Sequence, residues 1–357
     1  MRIAFDVSPL SHTLLGIGNY MQGSLGGLAE ACAGKHEIVA FAPTSLRGPD
    51  RIRAALAGID VEVRTWRLPF SHALRTGWSV AGHPAAERLI GGFDVLHFSD
   101  WMYPPQAGGV RATTIHDLVP LHHPEWTTPR TRSMHTRKYR NAAATCDVVF
   151  VNSEFTGRDL TETLGVSAER VRVARPAAKD VCRLDGAAAD LGAPYVLTVA
   201  TLEPRKNLGA LIEAHRLLGG DLLLAVVGAE GWGEQPLLDD PRMRRLGYVS
   251  DEELARLYRG AAVAVYPSRF EGFGIPVIEA MACGIPVVVS SHESLDEASG
   301  QAAVRADPDD PRAIAAAIER ALAEREVRAA TGLEHARTFS WRAVGEIFLR
   351  GYEEAAS

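Results

Sequence analysis

Hydrophobic and polar positions along the chain repeat one unit: a short β-branched apolar run, a break of glycine or polar residues, then apolar positions at helical spacing. Residues 2–7, 37–42, 61–66, 93–98, 111–115, 147–151 and 171–173 read as strands of a first half. Residues 195–200, 222–227, 263–266 and 287–289 read as strands of a second, with another strand ending near Gly247. Helical spacing follows at Met21, Leu25 and Leu28, and at 208–218, 277–283, 313–322 and 341–352, where apolar residues return every third or fourth position. Ser153 reads as a helix cap, and Ser250 with Glu253 as a capping box. Strands alternating with helices predict an α/β chain with parallel, doubly wound sheets. Residues 69–86 show no regular period, and 176–193 read as a linker of low hydrophobicity, which divides a domain 1–178 from a domain 179–340.

Composition narrows the class. A length of 357 residues is enough for two such domains, and 46% hydrophobic with 23% charged residues is ordinary for a globular protein. The net charge of -6 is uneven, with 20 basic and 17 acidic residues up to Asp180 against 18 and 27 after it. Cys32, Cys146, Cys182 and Cys283 are scattered without a C-x-x-C pair, which argues against a zinc site or a disulfide framework and fits a reducing cytoplasm. No run approaches the roughly 18 apolar residues of a membrane span, and Asp6 interrupts the start where a signal peptide would need apolar length.

The candidate chemistry centres on residues 261–290, AAVAVYPSRFEGFGIPVIEAMACGIPVVVS. Glu271 precedes a helix and Glu279 stands about one turn inside it. A solvated loop acid and an acid favoured by a helix N-terminus would look the same. Gly272 and Gly274, however, bare backbone N–H groups just before the helix, which is how phosphate is held. Phosphate donors beside carboxylates that accept from hydroxyls describe a site for a nucleotide joined to a sugar. Arg205 and Lys206 lie at another strand-to-helix turn; they read either as surface charges or as a second anion site. His116 follows a strand end, either aimed into the crevice beyond the sheet or bonded to a loop carbonyl. Gly16-Ile17-Gly18 follows the first strand, but Met21 occupies the third glycine position of a dinucleotide fingerprint. Arg130, Arg132, Arg137, Lys138 and Arg140 form an acid-free basic stretch. It reads either as a solvated helix face or as a contact with an anionic acceptor or lipid surface.

The string E-G-F-G-I-P-V-I-E-A-M-A-C-G-I-P-V-V, together with E-P-R-K-N at 203–207, resembles the two-glutamate signature of family 4 of the retaining glycosyltransferases. That resemblance covers nearly the whole chain. It implies the GT-B fold, two facing Rossmann-like domains, with the final helix 341–357 packing back on the first. It assigns Arg205 and Lys206 to the donor diphosphate with Gly272, Phe273 and Gly274, Glu271 to sugar hydroxyls, and Glu279 and Glu297 to the ribose. Tyr248 and Val249 lie along the nucleobase, and His116 sits beside the transferred sugar from the opposite domain. Gly16 and Gly18 contribute backbone only, because Leu15 and Asn19 replace the family's common Thr and Arg. No metal and no cofactor beyond the nucleotide sugar are expected. I-H-D-L-V-P-L-x-H-P-E resembles the bacterial polysaccharide mannosyltransferase branch, which makes GDP-mannose the first-choice donor and a UDP-hexose the second. The implied partners are that donor and a saccharide or lipid-linked acceptor, without nucleic acid. The implied place is the cytoplasm, with any peripheral contact at the inner membrane face. A GT-B epimerase and a non-catalytic sugar-nucleotide binding protein are the rival readings.

Overall fold

The computed structural model describes residues 1–99, 101–231 and 240–357. The chain forms two compact units, Met1–Pro176 with Ser340–Ser357, and Ala177–Phe339.

Unit 1 is built on β1 (Arg2–Asp6), β2 (Glu37–Thr44), β3 (Glu62–Arg67), β4 (Val95–Phe98), β5 (Val110–Ile115), β6 (Val148–Val151) and β7 (Val171–Val173). Among the described residues these seven strands form one parallel sheet in the order β3-β2-β1-β4-β5-β6-β7. The winding reverses between β1 and β4, and a crevice beyond the carboxyl ends at such a point is where open α/β sheets bind ligands. Asp6 closes β1 there, fully buried, with its carboxylate accepting from the Ser8 amide and hydroxyl.

The structure changes two sequence expectations. Gly16 and Gly18 lie in the first turn of the helix Gly16–Cys32, which begins ahead of the helical spacing read from Met21; extended Leu15 is the N-cap, and its carbonyl already accepts from the Asn19 amide at 2.8 Å. Within the aperiodic 69–86 stretch a helix forms over Ser71–Ala81. Its buried positions are polar, Arg75 and Ser79, while Leu74 and Val80 point outward, so an apolar core stripe was absent from the sequence.

The last helix, Trp341–Ala356, packs on Gly16–Cys32 at a distance set by glycines. A Cβ on Gly27 would lie 1.8 Å from the Trp341 carbonyl oxygen, and one on Gly345 would lie 2.0 Å from the Gly27 carbonyl oxygen. Backbone cannot yield as a side chain does. Gly345→Ala is therefore expected to cost about 3 kcal/mol, the upper end of overpacking, read as a lower urea midpoint. An unchanged midpoint would mean that the two helices separate freely. Phe348 and Tyr352 carry this helix into the core, where the Tyr352 hydroxyl and His97 Nδ1 are 2.6 Å apart.

Unit 2 carries β8 (Tyr195–Val199), β9 (Leu223–Val227), β10 (Met243–Gly247), β11 (Val263–Tyr266), β12 (Val287–Ser290) and β13 (Val304–Ala306). They form a parallel sheet in the order β10-β9-β8-β11-β12-β13 among the described residues. Both faces are covered. Tyr258, Ile278 and Met281 pack on one side, and Leu211, Ile212 and Ile318 on the other. Edge strand β13 is three residues long with Arg305 at its centre, too short and too polar to register as an apolar run. The reversal here falls between β8 and β11. At the carboxyl end of β9, Gly228 adopts φ 147°, and a Cβ on it would lie 1.8 Å from the Ala200 carbonyl oxygen, so only glycine admits this approach.

No helix among the described residues is long and apolar enough to cross a membrane.

Candidate functional site

The turn after β8 and the loop after β11 meet at the switch point of unit 2. Pro204–Lys206 forms a single 3-10 turn that ends on Asn207 in the left-handed region, φ 58°. Asparagine tolerates that conformation better than most residues. The Asn207 amide repays it by donating to the Pro267 and Pro308 carbonyls at 3.2 and 2.6 Å. The Arg269 amide donates to the Arg205 carbonyl at 2.9 Å. These bonds lock two loops that are some sixty residues apart in sequence.

Between them lies a dense ionic cluster. Glu271 accepts from Arg205 Nη1 at 2.9 Å with one carboxylate oxygen and from Lys206 Nζ at 2.7 Å with the other. Lys206 also bonds the Tyr266 hydroxyl at 2.6 Å, Arg205 Nε donates to Glu203 at 2.9 Å, and the Ser294 hydroxyl accepts the Glu271 amide at 3.0 Å. Burial alone would raise the Glu271 carboxyl, but the Arg205 and Lys206 cations outweigh it and hold the group at about 2. Burial and then the Arg205 charge push the Lys206 amine down, against the pull of Glu271. Glu271 thus lies where a ligand anion would find both cations.

Glu279 has a different setting. It sits in the helix Ile275–Ala282, whose N-cap Gly274 takes φ 107° with no room for a side chain, a Cβ falling 2.7 Å from Leu295 Cδ2. Phe273 anchors the approach in the core, 2% exposed. Glu279 is 3% exposed; one oxygen accepts weakly from the Tyr258 hydroxyl at 3.4 Å, and the other accepts no hydrogen bond among the described residues. Burial raises its carboxyl to about 7, with Asp251 adding to the rise and Lys179 opposing it. A buried acceptor oxygen left without a donor is costly, and a ligand hydroxyl donating to it would remove that cost. The two acids have different partners: Glu271 is bound by cations, and Glu279 is held by Tyr258 near the Lys179–Asp251 pair.

Tyr248 and Val249 follow β10, with Tyr248 52% exposed. Glu297 lies in the short helix Asp296–Ser299 and is half-buried, its carbonyl accepting from His335 at 3.0 Å. Asp307-Pro308-Asp309 directly follows β13, a D-x-D at a strand end that the short strand hid from sequence reading. Asp309 is occupied by Arg269 at 2.8 Å, and no group of three metal-ligand residues occurs among the described residues.

In unit 1, His116 follows β5 and is half-buried. Its Nδ1 is within 3.2 Å of Asn152 and its ring meets Tyr20 edge-on. Burial and then the Lys138 charge lower the imidazole to about 3, so it is neutral. Lys138 itself is buried, its ammonium donating to the Thr114 carbonyl, and so leaves the exposed basic face on which the sequence placed it. Sequence reading gave Glu203 no role of its own although it opens the E-P-R-K-N string, and it missed Tyr266, Ser294, Tyr258 and Lys179, which only folding brings to an acid or a cation.

Residues 21–178 match the family described as Glycosyltransferase Family 4, and residues 186–336 match Glycosyl transferases group 1. The chain is 29% identical to the O-antigen chain mannosyltransferase B of Escherichia coli, over 96% of each protein. It is 31% identical to a D-inositol 3-phosphate glycosyltransferase of Geodermatophilus obscurus, over 76% of this chain and 68% of that protein. Among solved structures, sucrose-phosphate synthase of Thermosynechococcus elongatus shares the fold with a TM-score of 0.72 at 20% identity, covering 99% of this chain and 98% of that one.

Proposed function

The chain belongs to glycosyltransferase family 4 and has the GT-B fold, and from that premise we propose that it transfers mannose from GDP-mannose, with retention at C1, to a saccharide or lipid-linked acceptor. The observation that carries the donor assignment is the end-to-end likeness to an O-antigen chain mannosyltransferase. In the reaction the acceptor oxygen bonds to C1 while the bond from C1 to the diphosphate oxygen breaks. The electron pair leaves with GDP, and the acceptor proton passes to the departing phosphate oxygen.

Arg205 and Lys206 would stabilise that growing charge with the backbone N–H groups of Gly272, Phe273 and Gly274. Fixed positive groups in a dry site lower such a barrier most, and these cations supply the charge that a divalent metal would otherwise bring. Glu271 would take sugar hydroxyls, Glu279 and Glu297 the ribose, and Tyr248 with Val249 the base. In unit 1 the neutral imidazole of His116 could accept from or donate to a sugar hydroxyl, and the first-turn amides of Gly16 and Gly18 would be the backbone donors.

Calorimetric titration with GDP-mannose, and with a UDP-hexose beside it, tests the reading. GDP-mannose is expected to bind and to release a proton near pH 7. The Glu279 carboxyl stands at about 7 in the free protein, and hydroxyls donating to it favour its charged form. The heat should therefore depend on the buffer's ionisation enthalpy, and Glu279→Gln should remove that dependence. Binding of the UDP-hexose alone would overturn the donor assignment, and tight binding without transfer to any acceptor would favour the non-catalytic reading.

A further inference from the structure

At the β13 edge of unit 2 lies a polar hollow of about 560 Å³ that shares no lining residue with the cluster around Glu271. Three arginines line it, each from a different element: Arg305 from β13, Arg320 from the helix Pro311–Ala323 and Arg328 from the helix Arg325–Ala336. Two of them are pinned. Arg305 donates to the Ser299 hydroxyl at 3.0 Å and to the His292 carbonyl at 2.9 Å, and lies 2.6 Å from Asp296. Arg328 donates to one Glu324 oxygen at 2.8 Å and to the Gln301 carbonyl at 3.2 Å. Arg320 meets the other Glu324 oxygen through Nε at 2.9 Å, and its two terminal nitrogens remain for a ligand. Asp296 and Glu324 thus stand against three cations, which leaves one positive charge over.

We propose that this hollow binds a phosphorylated sugar. Guanidiniums that converge from three elements match the three terminal oxygens of a phosphate monoester, which arginine grips in bidentate fashion; a carboxylate offers only two. The volume lies within the range of small-ligand sites, so the phosphate would bring a further group in with it. The other walls select that group. Ser291, Asp296 and Gln301 offer a hydroxyl, a carboxylate and an amide, partners for sugar hydroxyls. None of the lining residues is aromatic, so a nucleobase would find no ring to stack on. Glu324 is no barrier to entry: its pair with Arg320 joins side chains 38% and 61% exposed, and such pairs on a helix surface are weak. A phosphate dianion can take its place on Arg320.

The site goes beyond the transfer reaction and is measured without it. Calorimetric titration of the full chain with mannose 6-phosphate, with inorganic phosphate and with mannose is the test. Mannose 6-phosphate is expected to bind, inorganic phosphate to bind about tenfold more weakly, and mannose not to bind. Arg320→Gln should weaken mannose 6-phosphate by about tenfold, the loss of one charged hydrogen bond. Glu324→Gln removes the competing carboxylate and should tighten it by about threefold, a gain that damage to the fold cannot mimic. Lys206→Ala should leave the affinity for mannose 6-phosphate unchanged, and Arg320→Gln should leave that for GDP unchanged, which separates the hollow from the cluster around Glu271. Absence of heat with mannose 6-phosphate would overturn the proposal, as would inorganic phosphate binding equally tightly. So would binding that Lys206→Ala abolishes and Arg320→Gln leaves intact.

Discussion

Lys206→Ala is expected to lower the transfer rate at saturating donor by roughly 10²–10³-fold, the cost of removing one fixed group from the place where charge develops. The side chain is suited to that task because it is held from two sides, by Glu271 at 2.7 Å and by the Tyr266 hydroxyl at 2.6 Å, with little solvent to screen it. Alanine leaves Arg205 paired with both Glu203 and Glu271, so the loop should keep its shape, checked by an unchanged circular dichroism spectrum. Lys206→Arg should recover little of the rate. A planar guanidinium does not replace a compact ammonium wedged against a tyrosine ring whose centroid lies 5.0 Å away. A rate within twofold of wild type in the alanine variant would remove Lys206 from the chemistry.

The contrast between Lys206 and Lys138 shows what sequence could and could not convey. Both are basic residues in basic stretches. Arg205-Lys206 follows an apolar strand run and precedes a helical pattern, so its place at a strand's carboxyl end could be read directly. Lys138 looked like one cation among five, yet its helix turns it inward onto the Thr114 carbonyl, beside His116. Strands were legible because buried parallel strands are apolar along their length; Val263–Tyr266 and Val287–Ser290 lie where their runs lie. The helix Ser71–Ala81 was hidden because it reverses the polarity on which such reading depends. The pairing of Glu271 with Arg205, across 66 positions, was invisible because it depends on Asn207 bonds that tie one loop to the other.

That pairing carries the second large expectation. Holding the Glu271 carboxyl at about 2 instead of its ordinary 4.5 corresponds to about 3 kcal/mol of stability. Because the folded value is depressed, this contribution is fully present above about pH 4.5 and is lost as pH falls toward 2. Glu271→Gln should therefore lower stability by about 3 kcal/mol at pH 7, and the gap from wild type should narrow as denaturation is repeated at lower pH. The same change leaves Arg205 and Lys206 facing a neutral amide, two half-buried cations with Glu203 alone beside Arg205. GDP supplies an anion. Its thermal shift should thus be larger in the variant than in the wild type, where the diphosphate must compete with a carboxylate already seated on both cations. Transfer should still fall, because Glu271 would no longer take the sugar hydroxyls. A variant with wild-type stability at pH 7 would show that the carboxylate does not hold the cluster, and a smaller GDP shift than wild type would show that the diphosphate binds elsewhere.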